Sequence, residues 1–131
     1  EYNTVYLQTQ TGLYRDRSAA FGTVEANRDT VGFGCQSIDV DADGYLDQVV
    51  VNGHIDDYRN GDPFRMPADI WKGESNRLVR QEHDRLGAYF QKPTLGRALA
   101  YGDWDGDLAI DFVATHLDAP VALLLNRSQP R

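Results

Sequence analysis

Asp39-Val40-Asp41-Ala42-Asp43-Gly44-Tyr45-Leu46-Asp47 places aspartates at positions one, three, five and nine of a short loop, with glycine at six. Alternate residues of a tightly wound loop turn their side chains toward one centre, and glycine makes a sharp turn at little steric cost. Four carboxylates in nine residues repel one another unless a cation lies among them. Hard divalent ions such as calcium take several oxygen ligands. The spacing therefore predicts a calcium loop with ligands Asp39, Asp41, Asp43 and Asp47 and the backbone carbonyl of Tyr45 at position seven. The competing reading is a solvated Asp-Gly turn between strands.

The flanks decide what the loop connects. An EF-hand needs a glutamate at position twelve and a helix after the loop. Position twelve here is Val50, inside Gln48-Val49-Val50-Val51. A run of valines favours a buried strand, so the loop joins two strands. Gln48 breaks the apolar run, and nothing in the sequence accounts for it. A second loop carries Asp103, Asp105, Asp107 and Asp111, with Ala109 at position seven. It departs at position six, which is Leu108, while Gly106 stands at position four. Leucine at positive φ is strained, so either this loop takes another path or it holds metal more weakly. The first site is expected to be the tighter.

The loops belong to a duplication. Val5 through Gly22 aligns on Ile70 through Gly87 at an offset of 65, and Gly32 through Val49 on Gly96 through Val113 at an offset of 64. Apolar character is kept at Val5 and Ile70, Tyr6 and Trp71, Leu13 and Leu78, and Leu46 and Ile110. Repeats of this length imply a propeller, a solenoid or an array. The units are placed at 1–66 and 67–131. In the first, residues 4–8, 13–16, 32–38 and 46–52 read as strands, and 19–29 as a loop. The small side chains of 32–38 predict close approach of a neighbouring backbone. The apolar run of 46–52 predicts cover on both faces. Residues 53–67 hold Asn60-Gly61-Asp62-Pro63 and Met66-Pro67 and read as a long exposed loop. In the second unit 76–86 reads as a strand and a loop, 96–101 and 110–116 as strands, and 121–126 as the opening strand of a third unit.

Charge and composition narrow the function. No apolar run approaches the ~20 residues of a membrane span. The net charge of −7 argues against a nucleic-acid partner. Eight of the 20 acidic residues lie in the loops, which leaves 12 against 13 basic ones. The acidity is thus cation-binding capacity rather than a generally acidic surface. Cys35 is the only cysteine, so a disulfide within the chain and a thiol zinc site are both excluded. It reads as a small buried residue. The chain opens with Glu1 and reads as a mature piece or a fragment. His54-x-Asp56 and His116-x-Asp118 invite a metal or acid–base reading, but His116 aligns with Asn52, so the pairs are not equivalent. His83, in Gln81-Glu82-His83-Asp84-Arg85, reads as solvated surface. Trp71 reads as core packing, and Trp104, inside the second loop, as exposed.

With motif and repeat together, the chain resembles the FG-GAP/VCBS repeat family, and more narrowly the repeat region of bacterial ASPIC/UnbV proteins related to cartilage acidic protein. The matching residues are Asp39 to Asp47 with Val49-Val50-Val51-Asn52-Gly53-His54, then Gly96-Arg97-Ala98-Leu99-Ala100-Tyr101-Gly102-Asp103-Trp104-Asp105, and Pro120-Val121-Ala122-Leu123-Leu124-Leu125-Asn126. The resemblance implies an all-β fold of tandem four-stranded β-propeller-type blades, with calcium in loops between strands. It implies secreted, cell-surface or periplasmic proteins that bind or adhere and are not enzymes. A closed propeller needs about four to eight blades and two are present, so the chain is expected to be part of a larger propeller, to self-associate, or to close into a compact two-sheet form, the first being the leading expectation. The leading expectation is a calcium-stabilised module that binds a protein or carbohydrate partner. The alternatives are a calcium-dependent polysaccharide hydrolase or lyase, favoured by paired carboxylates such as Asp56, Asp57 or Asp62 in a cleft, and a purely structural spacer.

Overall fold

The valine run forms the central strand of the chain. In the computed structural model, which describes residues 3–57 and 63–128, Val49, Val50 and Val51 lie on β4 (Asp47–Asn52) and are almost fully buried. β-Branched side chains suit a pleated strand covered on both faces. β4 is flanked by β3 (Gly32–Ile38) and β5 (Asp69–Glu74), and β6 (Arg77–Arg80) completes a four-stranded antiparallel sheet in the order β3-β4-β5-β6. β7 (Gly96–Gly102), β8 (Asp111–His116) and β9 (Ala122–Leu124) form a second antiparallel sheet. β1 (Tyr6–Gln8) and β2 (Tyr14–Asp16) form a separate hairpin. The fold is mostly β, and its described residues make three small sheets rather than a closed propeller.

The sheets run out of phase with the sequence repeat. The four-stranded sheet takes two strands from each side of the 66/67 boundary. Residues 121–126, read as the opening strand of a third unit, supply β9, the third strand beside β7 and β8. The registers show why. Gln48, Val49 and Val50 of β4 face Trp71, Ile70 and Asp69 of β5. Phe112, Val113 and Ala114 of β8 face Leu124, Leu123 and Ala122 of β9. β9 therefore holds the place that β5 holds, and no described strand of this sheet holds the place of β6.

The core lies between the two larger sheets. Val49, Val51 and Ala68 meet Leu99, Phe112 and Ala114, with Phe90 from the loop after β6 closing one end. Burial of each large apolar side chain contributes about 1.5–3 kcal/mol relative to exposure. The small residues of β3 admit this packing: a Cβ on Gly34 would lie 2.5 Å from the Leu99 nitrogen. The close backbone approach expected for 32–38 is thus present. On the other face of β4, Gln48 donates through Nε2 to Ser37 Oγ and accepts from Cys35 Sγ at 3.3 Å. This cross-strand polar contact is the reason for the break in the apolar run.

Several local expectations need correction. Residues 19–29 are not all loop: α1 (Thr23–Ala26) starts at Gly22, whose φ of 75° makes the turn into it. Cys35 is exposed, because the core of this sheet uses the alternate side chains of β3. The 53–67 segment is anchored at its ends: Gly53 and Met66 are buried, and Met66 bridges Thr94 through two backbone hydrogen bonds of 3.0 and 2.9 Å. Asn60, Gly61 and Asp62 lie outside the described residues. Residues 77–80 are the expected strand, and the loop after it contains a single 3-10 turn, His83–Arg85. Among the described residues no helix is long and apolar enough to cross a membrane.

Because Gly34 sits against backbone that cannot step aside, Gly34→Ala is expected to destabilise the protein by about 2 kcal/mol or more, by overpacking. Cys35→Ala, on the open face of the same strand, is expected to stay within about 0.5 kcal/mol of the parent. Urea unfolding of both variants reads the difference.

Candidate metal centre

Each aspartate loop is wound by its own first carboxylate. Asp39 accepts the N–H groups of Asp43 at 3.0 Å and Gly44 at 2.8 Å. Asp103 accepts those of Gly106 at 2.8 Å and Leu108 at 3.1 Å. Position five fixes position seven: Asp43 accepts from Tyr45 N–H at 3.0 Å, and Asp107 from Ala109 N–H at 2.9 Å. The backbone is left-handed at positions four and six in both loops. These are Ala42 (φ 56°) and Gly44 (φ 91°) in the first, and Gly106 (φ 78°) and Leu108 (φ 69°) in the second. Of the two outcomes expected for Leu108, the structure shows no detour: the leucine takes the strained conformation and its side chain lies in solvent, 90% exposed.

The last carboxylate ties each loop to the sheet. Asp47 is buried and accepts Val40 N–H at 2.9 Å and Gly73 N–H, from β5, at 2.7 Å. Asp111, also buried, accepts Trp104 N–H at 2.9 Å and Asn126 N–H, just past β9, at 2.8 Å. Donors at loop position two and on or just past the neighbouring strand converge on one carboxylate in both halves. Burial pushes the Asp47 carboxyl above its ordinary value against the pull of the Gly73 and Val40 N–H groups, and the Asp41 and Asp43 charges add to the rise. Asp111 goes the other way. Its Asn126 and Trp104 hydrogen bonds hold it below its ordinary value, and the Arg127 charge assists.

Two groups of carboxylates stand close enough to share a metal ion. One oxygen from each of Asp39, Asp41 and Asp43 lies within 4.8 Å of the others, and the same holds for Asp103, Asp105 and Asp111. Oxygens about 2.3–2.6 Å from one calcium ion are at most about 5 Å apart, so both groups have the right span. Asp47 and Asp107 stand outside these groups. Tyr45 and Ala109 are placed at the loops by their N–H bonds to Asp43 and Asp107. Asp41 Oδ1 is buried and has no hydrogen-bond partner, which is a costly state for a carboxylate oxygen and suits a cation ligand.

Protein cations already approach both groups. Lys72 Nζ from β5 bonds Asp41 and lies 3.0 Å from Asp43 Oδ2. Asp41 and then Asp43 hold this ammonium above its ordinary value. Arg127 bonds Asp105 Oδ2 at 2.8 Å and Asp107 Oδ2 at 2.9 Å. The mutual repulsion that suggested a metal is therefore partly met from within the chain. Sequence reasoning did not single out Lys72, Arg127, Gly73 or Asn126. Their common signal is position on or just past the strand that pairs with the one after each loop, which becomes visible only once β5 and β9 are paired.

The other candidate residues are dispersed. Asp56 and Asp57 are exposed, and Asp62 lies outside the described residues. Two clefts of about 490 and 530 Å³ are lined by one carboxylate between them, Glu74. His116 is held by Tyr89 Oη and the Pro120 carbonyl, both at 2.9 Å. His83 is not merely solvated surface: its Nε2 lies 2.9 Å from the buried Asp69, which also binds Arg80 at 2.7 Å and Asn52 at 2.8 Å. Trp71 is buried and Trp104 half-exposed, as expected of each.

No family model, curated protein or solved structure matches the chain.

Relief of the left-handed leucine makes Leu108→Gly stabilising by about 1 kcal/mol in thermal or urea unfolding, since the exposed side chain gives up little contact. A lowered folded pKa at Asp111 means its contribution is present above the unfolded value and lost as pH falls through the folded one. Asp111→Asn is therefore expected to be less stable than the parent at pH 7 and to show a flatter loss below pH ~4, measured by urea midpoints across pH.

Proposed function

We propose that the chain is a calcium-binding β-repeat module of the FG-GAP/VCBS kind, in which calcium serves the fold and the repeats present a binding surface. The observation that carries the reading is the buried, partnerless Asp41 Oδ1 within a group of carboxylates of calcium span. Hard oxygen donors disfavour zinc and copper. Asp39, Asp41 and Asp43 hold the first ion, with the Tyr45 carbonyl as a further ligand. Asp103, Asp105 and Asp111 hold the second, with the Ala109 carbonyl. Calcium that binds the folded loops and not the unfolded chain raises stability by mass action.

The same reading gives the sheets their place. The four-stranded sheet is one blade, and the β7-β8-β9 sheet is the next blade, short of the strand that corresponds to β6. An extended strand added antiparallel to β9 would complete it, either from a neighbouring repeat or from a second copy of the chain. A surface or extracellular module that binds protein or carbohydrate follows from the family resemblance, and no observation favours a hydrolase or lyase over it.

Calorimetric calcium titration and melting curves in calcium and in chelator test the metal. The parent is expected to bind and to melt higher in calcium, and Asp41→Ala to lose the first site and most of the shift. Absence of heat and of any shift at millimolar calcium would return the loops to solvated Asp-Gly turns.

A further inference from the structure

We propose that Lys72 is a built-in competitor for the first metal site, so that cation binding there is an exchange of the lysine ammonium for the metal. The proposal rests on the calcium reading above and adds what sets the site's affinity.

In both loops one protein cation spans the aspartates at positions three and five. Lys72 does so for Asp41 and Asp43, and Arg127 for Asp105 and Asp107. The two are not copies of one ancestral residue. Gly73 and Asn126 make the same bond to Asp47 and Asp111, which sets Lys72 opposite Leu125 and Glu74 opposite Arg127. Two unrelated positions thus deliver one positive charge to the same pair of carboxylates. Clustered acids in a compact loop need neutralising whether or not metal is present, and each half of the chain meets that need with a different residue.

The first loop carries the heavier competition. Lys72, Asp41 and Asp43 are only 23%, 20% and 19% exposed, whereas Arg127 is 63% exposed. Screening by water is weaker where the groups are more buried, so the lysine pair is the harder to displace. Asp41 Oδ2 binds the ammonium while Asp41 Oδ1 has no partner. The loop is thus held in shape with one ligand oxygen free and another occupied by the competitor. A metal entering through the free oxygen must detach Lys72 to use Asp41 and Asp43 fully. The apparent affinity is reduced by the fraction of molecules in which the lysine is seated. The chemistry is that of a divalent oxygen-seeking cation with a charge of two replacing a single charge.

Calcium itself is the probe. Lys72→Met keeps the aliphatic stem and removes the charge, and Lys72→Arg keeps the charge. Calorimetry is expected to show first-site affinity about tenfold or more tighter in Lys72→Met than in the parent, and Lys72→Arg within a few-fold of the parent. Without calcium, Lys72→Met is expected to melt below the parent. Equal or weaker affinity in Lys72→Met, alongside binding by the parent, would overturn the competitor role and leave the calcium reading standing. No binding by either protein at millimolar calcium would overturn both. A second measurement needs no variant. Lys72 and Lys92 are the only lysines, and Lys92 is exposed. Acetylation of Lys72 relative to Lys92, read by mass spectrometry, is expected to be slow in chelator and several-fold faster in calcium. An unchanged ratio in a calcium-bound sample would count against the exchange.

Discussion

The buried carboxylate at position nine joins loop to sheet, and much of the architecture depends on it. Asp47 and Asp111 each take one N–H from within the loop and one from the neighbouring chain segment, Gly73 on β5 and Asn126 just past β9. A carboxylate so placed can be buried only because both its oxygens are satisfied, and loss of either donor would leave an unpaired charge in the interior. The bond fixes where β5 and the end of β9 lie against the loops. Through β5 it brings Lys72 to Asp41, and past β9 it brings Arg127 to Asp105. The charge around each group of carboxylates is thus set by a hydrogen bond to the ninth-position aspartate, which stands outside the group in the first loop and within it in the second.

Strand positions were largely legible in the sequence. The valines of β4 and the small residues of β3 and β7 announce a buried strand and a close backbone contact. Both occur, with Gly34 against the Leu99 backbone and Gly96 against the Asn52 backbone. What the repeat does not disclose is where one sheet ends. Similarity at an offset near 64 is unchanged wherever the unit boundary is drawn, so residues 66 and 67 were as good a boundary as any. Pairing shows the extent of the sheet, because β4 hydrogen-bonds to β5 across that boundary. Cys35 and Gln48 were misjudged or unexplained for a related reason. A seven-residue strand alternates its faces, and sequence alone did not say which face of β3 met the second sheet.

The site was legible as a set of acids and not as a set of partners. Spacing picks out eight aspartates, six of which stand in groups that could hold an ion, but not that Asp47 is bound by backbone donors while Asp111, so similar in its bonds, stays near Asp103 and Asp105. It also assumed that clustered carboxylates imply an external cation. Lys72 and Arg127 show that the chain supplies part of that charge from 31 and 22 residues away. Such partners carry no motif, because any basic residue long enough to reach from the neighbouring strand suffices. Their convergence on positions three and five from unmatched places in the repeat argues that the demand lies in the loop and that the supply is opportunistic.

The two loops also separate what the glycine of this motif does from where it stands. Both backbones turn left-handed at positions four and six. The first loop relieves the sixth position with Gly44 and leaves Ala42 at φ 56°. The second relieves the fourth with Gly106 and leaves Leu108 at φ 69°. Each loop thus retains one strained non-glycine residue, and each holds its shape through the carboxylate of its first aspartate, which accepts N–H groups from across the turn. Those bonds over-determine the path, which is the condition under which left-handed strain persists. Glycine at position six is therefore one of two ways to lighten the same backbone, and its absence from the second loop changes the strain more than the geometry. A motif rule that demands glycine at six would reject a loop whose carboxylates stand, like those of the first, close enough together to share an ion.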